Sequence, residues 1–343
     1  MAAYPRSEVC VKLTDEGGGE RLPFSHVKRA RDVKRTRQIL MFILAAAILS
    51  AGLVVAQFNR GGGRFGREEA GPLVRTEGGQ LVNVETVRTA RETAPQVAET
   101  PNWTNVPGFP GDTFTFARII YTSPSKPALM AWLNDYPDSD LNLSFRLQQL
   151  TSMKVDPDGR VIKLTDPELF HFPMIFAAQP GGMLLTEEEV AIMRKYLLNG
   201  GVCVADDFWG ERDWEIFSGQ MERVLPGRKW KDLDISHPMF HSVFDLQGPM
   251  NNLQSPSIHF WRRNYDPSNP SGRVSAIRGR GSEDMHVRAW VDDKERMMIV
   301  AFHNCDNGDG WEREGENEDY FHLFSEKRAY PLAINLIFYL MTH

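Results

Sequence analysis

Two adjacent carboxylates, Asp206 and Asp207, end the apolar run Val202-Cys203-Val204-Ala205 and are followed at once by Phe208, Trp209 and Gly210. Successive strand residues point to opposite faces, so the two acids divide their work. One can hold a cation or act as a general base while the other caps the helix that follows. A second group, Asp135, Asp138 and Asp140, is spaced either for an oxygen-rich cation site or for capping a helix start. An EF-hand beginning at Asp138 fails, because Leu143 stands where glycine is needed and Gln149 where a bidentate glutamate is needed. A third group, His303, Asp306, Asp309 and Trp311, follows a predicted strand; it reaches the same sheet end or folds as a tight turn at Asp306-Asn307-Gly308-Asp309-Gly310.

The candidate catalytic residues are therefore Asp206, Asp207 and His303. Asp135, Tyr136, Asp138, Asp140, Trp209, His237, Asp306, Asp309 and Trp311 are candidate ligand-binding residues. His237 and His241 have the four-residue spacing of zinc ligands on a helix, but Pro238 and the missing HExxH glutamate favour a structural role, with His237 kept as a candidate at a loop mouth. Trp209, Tyr136 and Trp311 would let sugar rings stack beside the carboxylates. Cys10, Cys203 and Cys305 are far apart, which argues against a disulfide framework or a structural zinc site. Cys203 reads as a buried small hydrophobe and Cys305 as an unpaired loop thiol. No organic cofactor is called for; a divalent cation is the candidate, of undetermined identity.

These side chains need a scaffold. Val202 to Phe208 reads as an inner strand of a parallel sheet, and ligands in open α/β sheets collect beyond the carboxyl ends of the strands. The helix before it, Glu187 to Asn199, carries a capping box at Thr186 and Glu189 and stops at Gly200. Glu211 to Leu225 is a second amphipathic helix. Phe114 to Tyr121, Val161 to Leu164 and Pro173 to Ala178 read as strands, Leu143 to Leu150 as a helix, and Val287 to Val291 with Met297 to Phe302 as a hairpin. Asn251 to Gly281 and Asp306 to Asp319 read as loops, and Tyr330 to Met341 as a closing helix. Strand and helix in alternation predict a doubly wound, mostly parallel α/β fold.

The chain of 343 residues divides into four parts. Residues 1–37 are a basic tail. Residues 38–58 read as a transmembrane anchor, with no charge from Ile39 to Phe58. Val54-Val55-Ala56 also offers a signal-peptide cleavage point, but the long polar lead favours a retained anchor. Residues 59–112 are a glycine- and proline-bearing linker that includes a short strand at Leu81 to Val84, and 113–343 are the globular domain. Positive charge before the anchor places the N-terminus in the cytoplasm and the domain outside it, a single-pass inner-membrane protein with a periplasmic domain. A net charge of −6 argues against nucleic acid as a partner.

The motifs YPDSDLN (136–142), LTDPELFHFP (164–173), LLNGGVCVADDFWG (197–210), HPMFHSVFDL (237–246), HNCDNGDGWE (303–312) and KRAYPLAINLIFYLMTH (327–343) resemble, in order, an uncharacterised bacterial "domain of unknown function" family. The resemblance implies a class I glutamine amidotransferase-like, flavodoxin-type fold. It also implies an exported, membrane-anchored protein of Gram-negative bacteria, often encoded beside MoxR-type ATPases and von Willebrand A-domain proteins. True amidotransferases hold a cysteine on a strand-to-helix elbow; here Asp206-Asp207-Phe208 occupies it, and thioester chemistry is not expected. The expectation is a binding or assembly module with protein partners in a cell-envelope complex. The alternative is a metal- or carboxylate-dependent hydrolase of an envelope substrate.

Overall fold

A computed structural model describes residues 72–108, 111–266, 268 and 280–343. The basic tail, the membrane segment and residues 59–71 of the linker lie outside the described residues. Among those described, no helix is long and apolar enough to cross a membrane.

Residues from Gly71 to His343 form one compact unit. It opens on a hairpin of β1 (Leu73–Arg75) and β2 (Leu81–Asn83), and β3 (Thr113–Phe114) pairs in parallel with β5 (Lys154–Val155). The main sheet contains β4 (Ala117–Ile120), β6 (Arg160–Lys163), β7 (Met174–Ala178), β8 (Val202–Phe208), β9 (Lys231–Asp232), β10 (His286–Val291) and β11 (Met297–His303). Their order is β6-β4-β7-β8-β11-β10-β9. The first five in that order are parallel, and β10 is antiparallel to both β11 and β9. The architecture is thus mixed α/β with a mostly parallel sheet, and β8 is its middle strand.

Among the described residues, seven α-helices accompany the sheet: α1 (Asp138–Leu150), α2 (Glu187–Leu198), α3 (Gly210–Val224), α4 (Ile258–Asn264), α5 (Asn307–Glu312), α6 (Glu318–Tyr320) and, after a π-helical stretch Phe321–Ala329, α7 (Tyr330–Thr342). Alternation along β8 divides the core. Cys203 and Ala205 join Met193 and Leu197 of α2 and Phe217 and Met221 of α3; Val202 and Val204 join Leu143 and Leu147 of α1 and Ile334 and Ile337 of α7. Full burial of an aliphatic or aromatic side chain contributes about 1.5–3 kcal/mol, so both faces of β8 anchor the fold. The Thr186 hydroxyl accepts from the Glu189 amide at 3.2 Å and the Glu189 carboxylate accepts from the Thr186 amide at 2.8 Å, the capping box that starts α2.

Three sequence expectations are revised, and the linker is placed. The run from Phe114 to Tyr121 is two strands in different sheets, since the carbonyls of Phe114 and Phe116 turn to accept from the Asp156 and Arg160 amides. Residues 72–108, within the stretch read as linker, pack on the domain: Val82, Val87 and Ala90 enter its core, and Arg91 donates to the carbonyls of Thr100 and Pro157. α4 lies within the stretch read as loop after Asn251, and α5 within the acidic loop after Asp306.

One ion pair organises the approach to the sheet end. Arg118 of β4 is wholly buried; its Nε donates to both Asp140 oxygens at 3.0 Å, its Nη1 to the Trp132 and Asn134 carbonyls, and its Nη2 to Ser139 Oγ. Burial opposes the guanidinium charge, yet Asp140 more than compensates and holds the Arg118 pKa above its ordinary value. The pair clamps residues 132–140. Removing one partner of a buried pair costs about 3–5 kcal/mol. Arg118→Met in the full chain is expected to show that loss in denaturant unfolding, and a loss under about 1 kcal/mol would refute the clamp.

Candidate functional site

Asp206 is still in sheet register, opposite Ala178 of β7. Asp207 leaves it with φ 55, a left-handed conformation that aspartate tolerates better than most residues. The two carboxylates therefore have different neighbours. Asp206 accepts from the Asn307 amide at 2.9 Å, the Asn307 side-chain amide at 2.8 Å and the Gly308 amide at 2.9 Å. Asp207 accepts from Asn134 Nδ2 at 2.9 Å, Gln179 Nε2 at 2.6 Å and Trp209 Nε1 at 2.7 Å. Below Asn307 lies an apolar cavity lined by Phe116, Phe176, Val204, Phe302 and Trp311. Burial, with the charge of Asp207 second, pushes the Asp206 pKa up to about 8.

The clamped loop delivers Asp135, left-handed at φ 61 and 4% exposed. Its Oδ1 accepts from Asn134 Nδ2 at 2.7 Å. Its Oδ2 lies where a Cβ on residue 308 would sit, 2.0 Å away, so Gly308 is what lets this carboxylate approach α5. Asp306 caps α5 by accepting from the Asp309 amide at 2.9 Å, and Asp309 accepts from the Ile258 amide at 2.7 Å. Glu312, one turn past Asp309, faces Arg313, whose Nε stands 2.7 Å from Oε2. Arg313 also contacts Asp309 at 3.4 Å, Glu77 at 2.7 Å and Glu316 at 3.2 Å.

Two carboxylate sets result, each with donor oxygens within 4.8 Å of one another: Asp135, Asp309 and Glu312, and Asp135, Asp207 and Asp306. Asp135 belongs to both. Burial, then the charges of Asp309, Glu312 and Asp207, hold the Asp135 carboxyl well above the usual range. Burial does the same to Glu312 and outweighs Arg313. An arrangement of oxygen donors without nitrogen or sulfur suits a hard divalent cation.

Of the residues singled out from sequence, Asp135, Asp207, Asp306 and Asp309 are brought together, with Asp206 beside them through Asn307 and Gly308. The others are engaged elsewhere. Asp140 holds Arg118, and Asp138 accepts from the Gln96 and Val97 amides at 2.8 and 3.2 Å. Tyr136, Trp209 and Trp311 are 0%, 7% and 3% exposed, so none presents a ring face to a sugar. His237 accepts from the Met239 amide at 3.2 Å and packs on Tyr339. Cys203 and Cys305 are both buried, and desolvation pushes the Cys203 thiol up to about 12 and the Cys305 thiol well above its ordinary value. Cys305 is thus an unpaired loop thiol, closed off from solvent.

His303 also departs from expectation. Its Nε2 sits 3.0 Å from the Gly210 carbonyl and its Nδ1 3.1 Å from Arg288 Nη1, which assigns Nε2–H as donor and Nδ1 as acceptor. The ring is packed by Phe208, Trp214 and His286. Burial lowers its pKa to about 4, so it is a neutral structural link. Glu312, Arg313, Asn134 and Gln179 also line the centre, beyond the residues that type and spacing pick out. The signal for Glu312 was present: Asp306, Asp309 and Glu312 recur every three residues, which places them along one helix face.

The fold and this centre define an α/β domain with a buried carboxylate cluster at the carboxyl ends of its middle strands. The chain belongs to the family described as Domain of unknown function (DUF4159), which matches residues 115–341. No curated protein matches it.

The His303 environment makes a pH prediction. An unfolded chain takes up the proton near 6.5 and the folded one near 4, so stability falls as pH drops through that window. The full effect is about 3 kcal/mol. His303→Gln, which keeps a donor and an acceptor, is expected to flatten unfolding free energy against pH between 6.5 and 4 relative to wild type. Parallel curves would refute the assignment.

Proposed function

We propose that this chain is a membrane-anchored, exported binding module that helps assemble a cell-envelope complex, built on an amidotransferase-like α/β domain without amidotransferase chemistry. The observation that carries this reading is the strand-end elbow. Thioester-forming amidotransferase catalysis needs an exposed, activated thiol. The elbow holds Asp206 and Asp207 instead, both satisfied by neutral donors, and the thiols of Cys203 and Cys305 are fully buried. The histidine nearest in the strand pattern, His303, spends both ring nitrogens on Arg288 and Gly210. The anchor at 38–58 and the charge bias before it support export of the domain. Against the hydrolase alternative stands burial: Asp135, Asp206 and Asp207 are at most 4% exposed, which leaves a polymeric substrate no approach.

The test uses the full chain in its native membrane. Protease added outside the cytoplasmic membrane is expected to digest the domain, and in-cell cross-linking followed by detergent extraction is expected to recover the chain in a discrete, reproducible assembly larger than itself. A protected domain, a lone chain after cross-linking, or glutamine hydrolysis by the purified protein would each refute the reading.

A further inference from the structure

We propose that Asp135, Asp309 and Glu312 hold one hard divalent cation, of the calcium or magnesium kind, which staples the Arg118-clamped loop to α5. This inference does not depend on the assembly reading above. Their donor oxygens lie within 4.8 Å of one another and the three residues are 4%, 3% and 0% exposed. Proximity of acids alone proves little, but Glu312 adds a second observation. Neither of its carboxylate oxygens receives a hydrogen bond, although Oε2 stands 2.7 Å from the Arg313 Nε. A fully buried carboxylate oxygen left bare is costly, and the set it faces offers acceptors rather than donors. A cation supplies what is missing.

Charge and chemistry choose the kind of cation. The guanidinium beside Asp309 and Glu312 is that of Arg313, which also serves Glu77 and Glu316, so one positive charge is shared among four carboxylates. All three ligands are oxygens, and they come from two segments far apart in the chain, the loop at 135 and α5 at 309–312. Hard cations prefer such a set, whereas zinc and copper sites recruit nitrogen or sulfur. Gly308 keeps Asp135 Oδ2 close to α5, and a side chain at that position would block it. The second set, Asp135 with Asp207 and Asp306, is disfavoured because Asp207 already accepts from three neutral donors.

The purified full chain in detergent is stripped with EDTA under mild denaturant, refolded, and given CaCl₂, MgCl₂, MnCl₂ or ZnCl₂ in turn. Metal content by mass spectrometry is expected to be about one calcium or magnesium ion per chain, with melting raised by about 5 °C or more over the stripped protein at saturating cation. Glu312→Gln and Asp309→Asn are each expected to lose the bound ion and the shift. Asp306→Asn is expected to keep both. The wild-type stoichiometry decides the matter even where a variant fails to fold. No bound ion with any salt, binding confined to zinc, or an ion lost in Asp306→Asn but kept in Glu312→Gln would overturn the proposal.

Discussion

Desolvated negative charge is the constraint around which this domain is built. Asp135, Asp138, Asp140, Asp206, Asp207, Asp306, Asp309 and Glu312 are all buried, and a carboxylate taken out of water needs donors or a countercharge. The chain meets that need in two ways. Arg118 answers Asp140 through its Nε, and its Nη1 holds the loop that carries Asp135 by the Trp132 and Asn134 carbonyls. Neutral donors answer Asp206, Asp207 and Asp138. Around Arg313 the acids outnumber the guanidinium, and the carboxyls of Asp135 and Glu312 are held far above their ordinary range.

The sheet makes this crowding possible by bending its strand ends. Gln179 after β7, Asp207 in β8 and Asn304 after β11 all adopt left-handed backbone, at φ 46, 55 and 60. Such conformations cost non-glycine residues of order 1 kcal/mol each and persist when surrounding contacts over-determine them. Here the same side chains supply those contacts. Gln179 donates to Asp207, and Asn304 accepts from the Gly210 amide while donating to the Gly281 and Asp284 carbonyls. The strand ends are cross-linked to one another, so the acids project from a rigid frame.

Period-two alternation separates the carboxylate centre from the histidine that ends the neighbouring strand. Asp206 shares the face of Val204, toward α5 and α7, while His303 shares the face of Ile299 and Ala301, toward α3. There Arg288 lies between Trp214 and Trp230, with its guanidinium carbon 4.0 and 4.5 Å from their ring centroids, and pairs with Asp232. A cation already fixed beside His303 and a dry aromatic wall keep that ring neutral. Sequence proximity to a strand end placed His303 at the right height but could not say on which side.

From sequence alone came the elements whose patterns are local: the apolar β8 ending in paired acids, α2 with its capping box, the β10–β11 hairpin and the apolar α7. From it also came four acids of the centre, because carboxylates after apolar runs mark strand ends. Glu312 and Arg313 escaped notice because Asn307-Gly308-Asp309-Gly310 reads as a turn, and each glycine costs a helix about 1 kcal/mol relative to alanine. Tertiary packing reverses that reading: Gly308 admits Asp135, and a Cβ at Gly310 would come within 2.5 Å of Ala329. Alternation and capping tell a side chain which way to point, which the sequence by itself determined. Which acids meet, and how dry they are when they do, depends on segments more than a hundred residues apart docking together, and that only the tertiary structure decided.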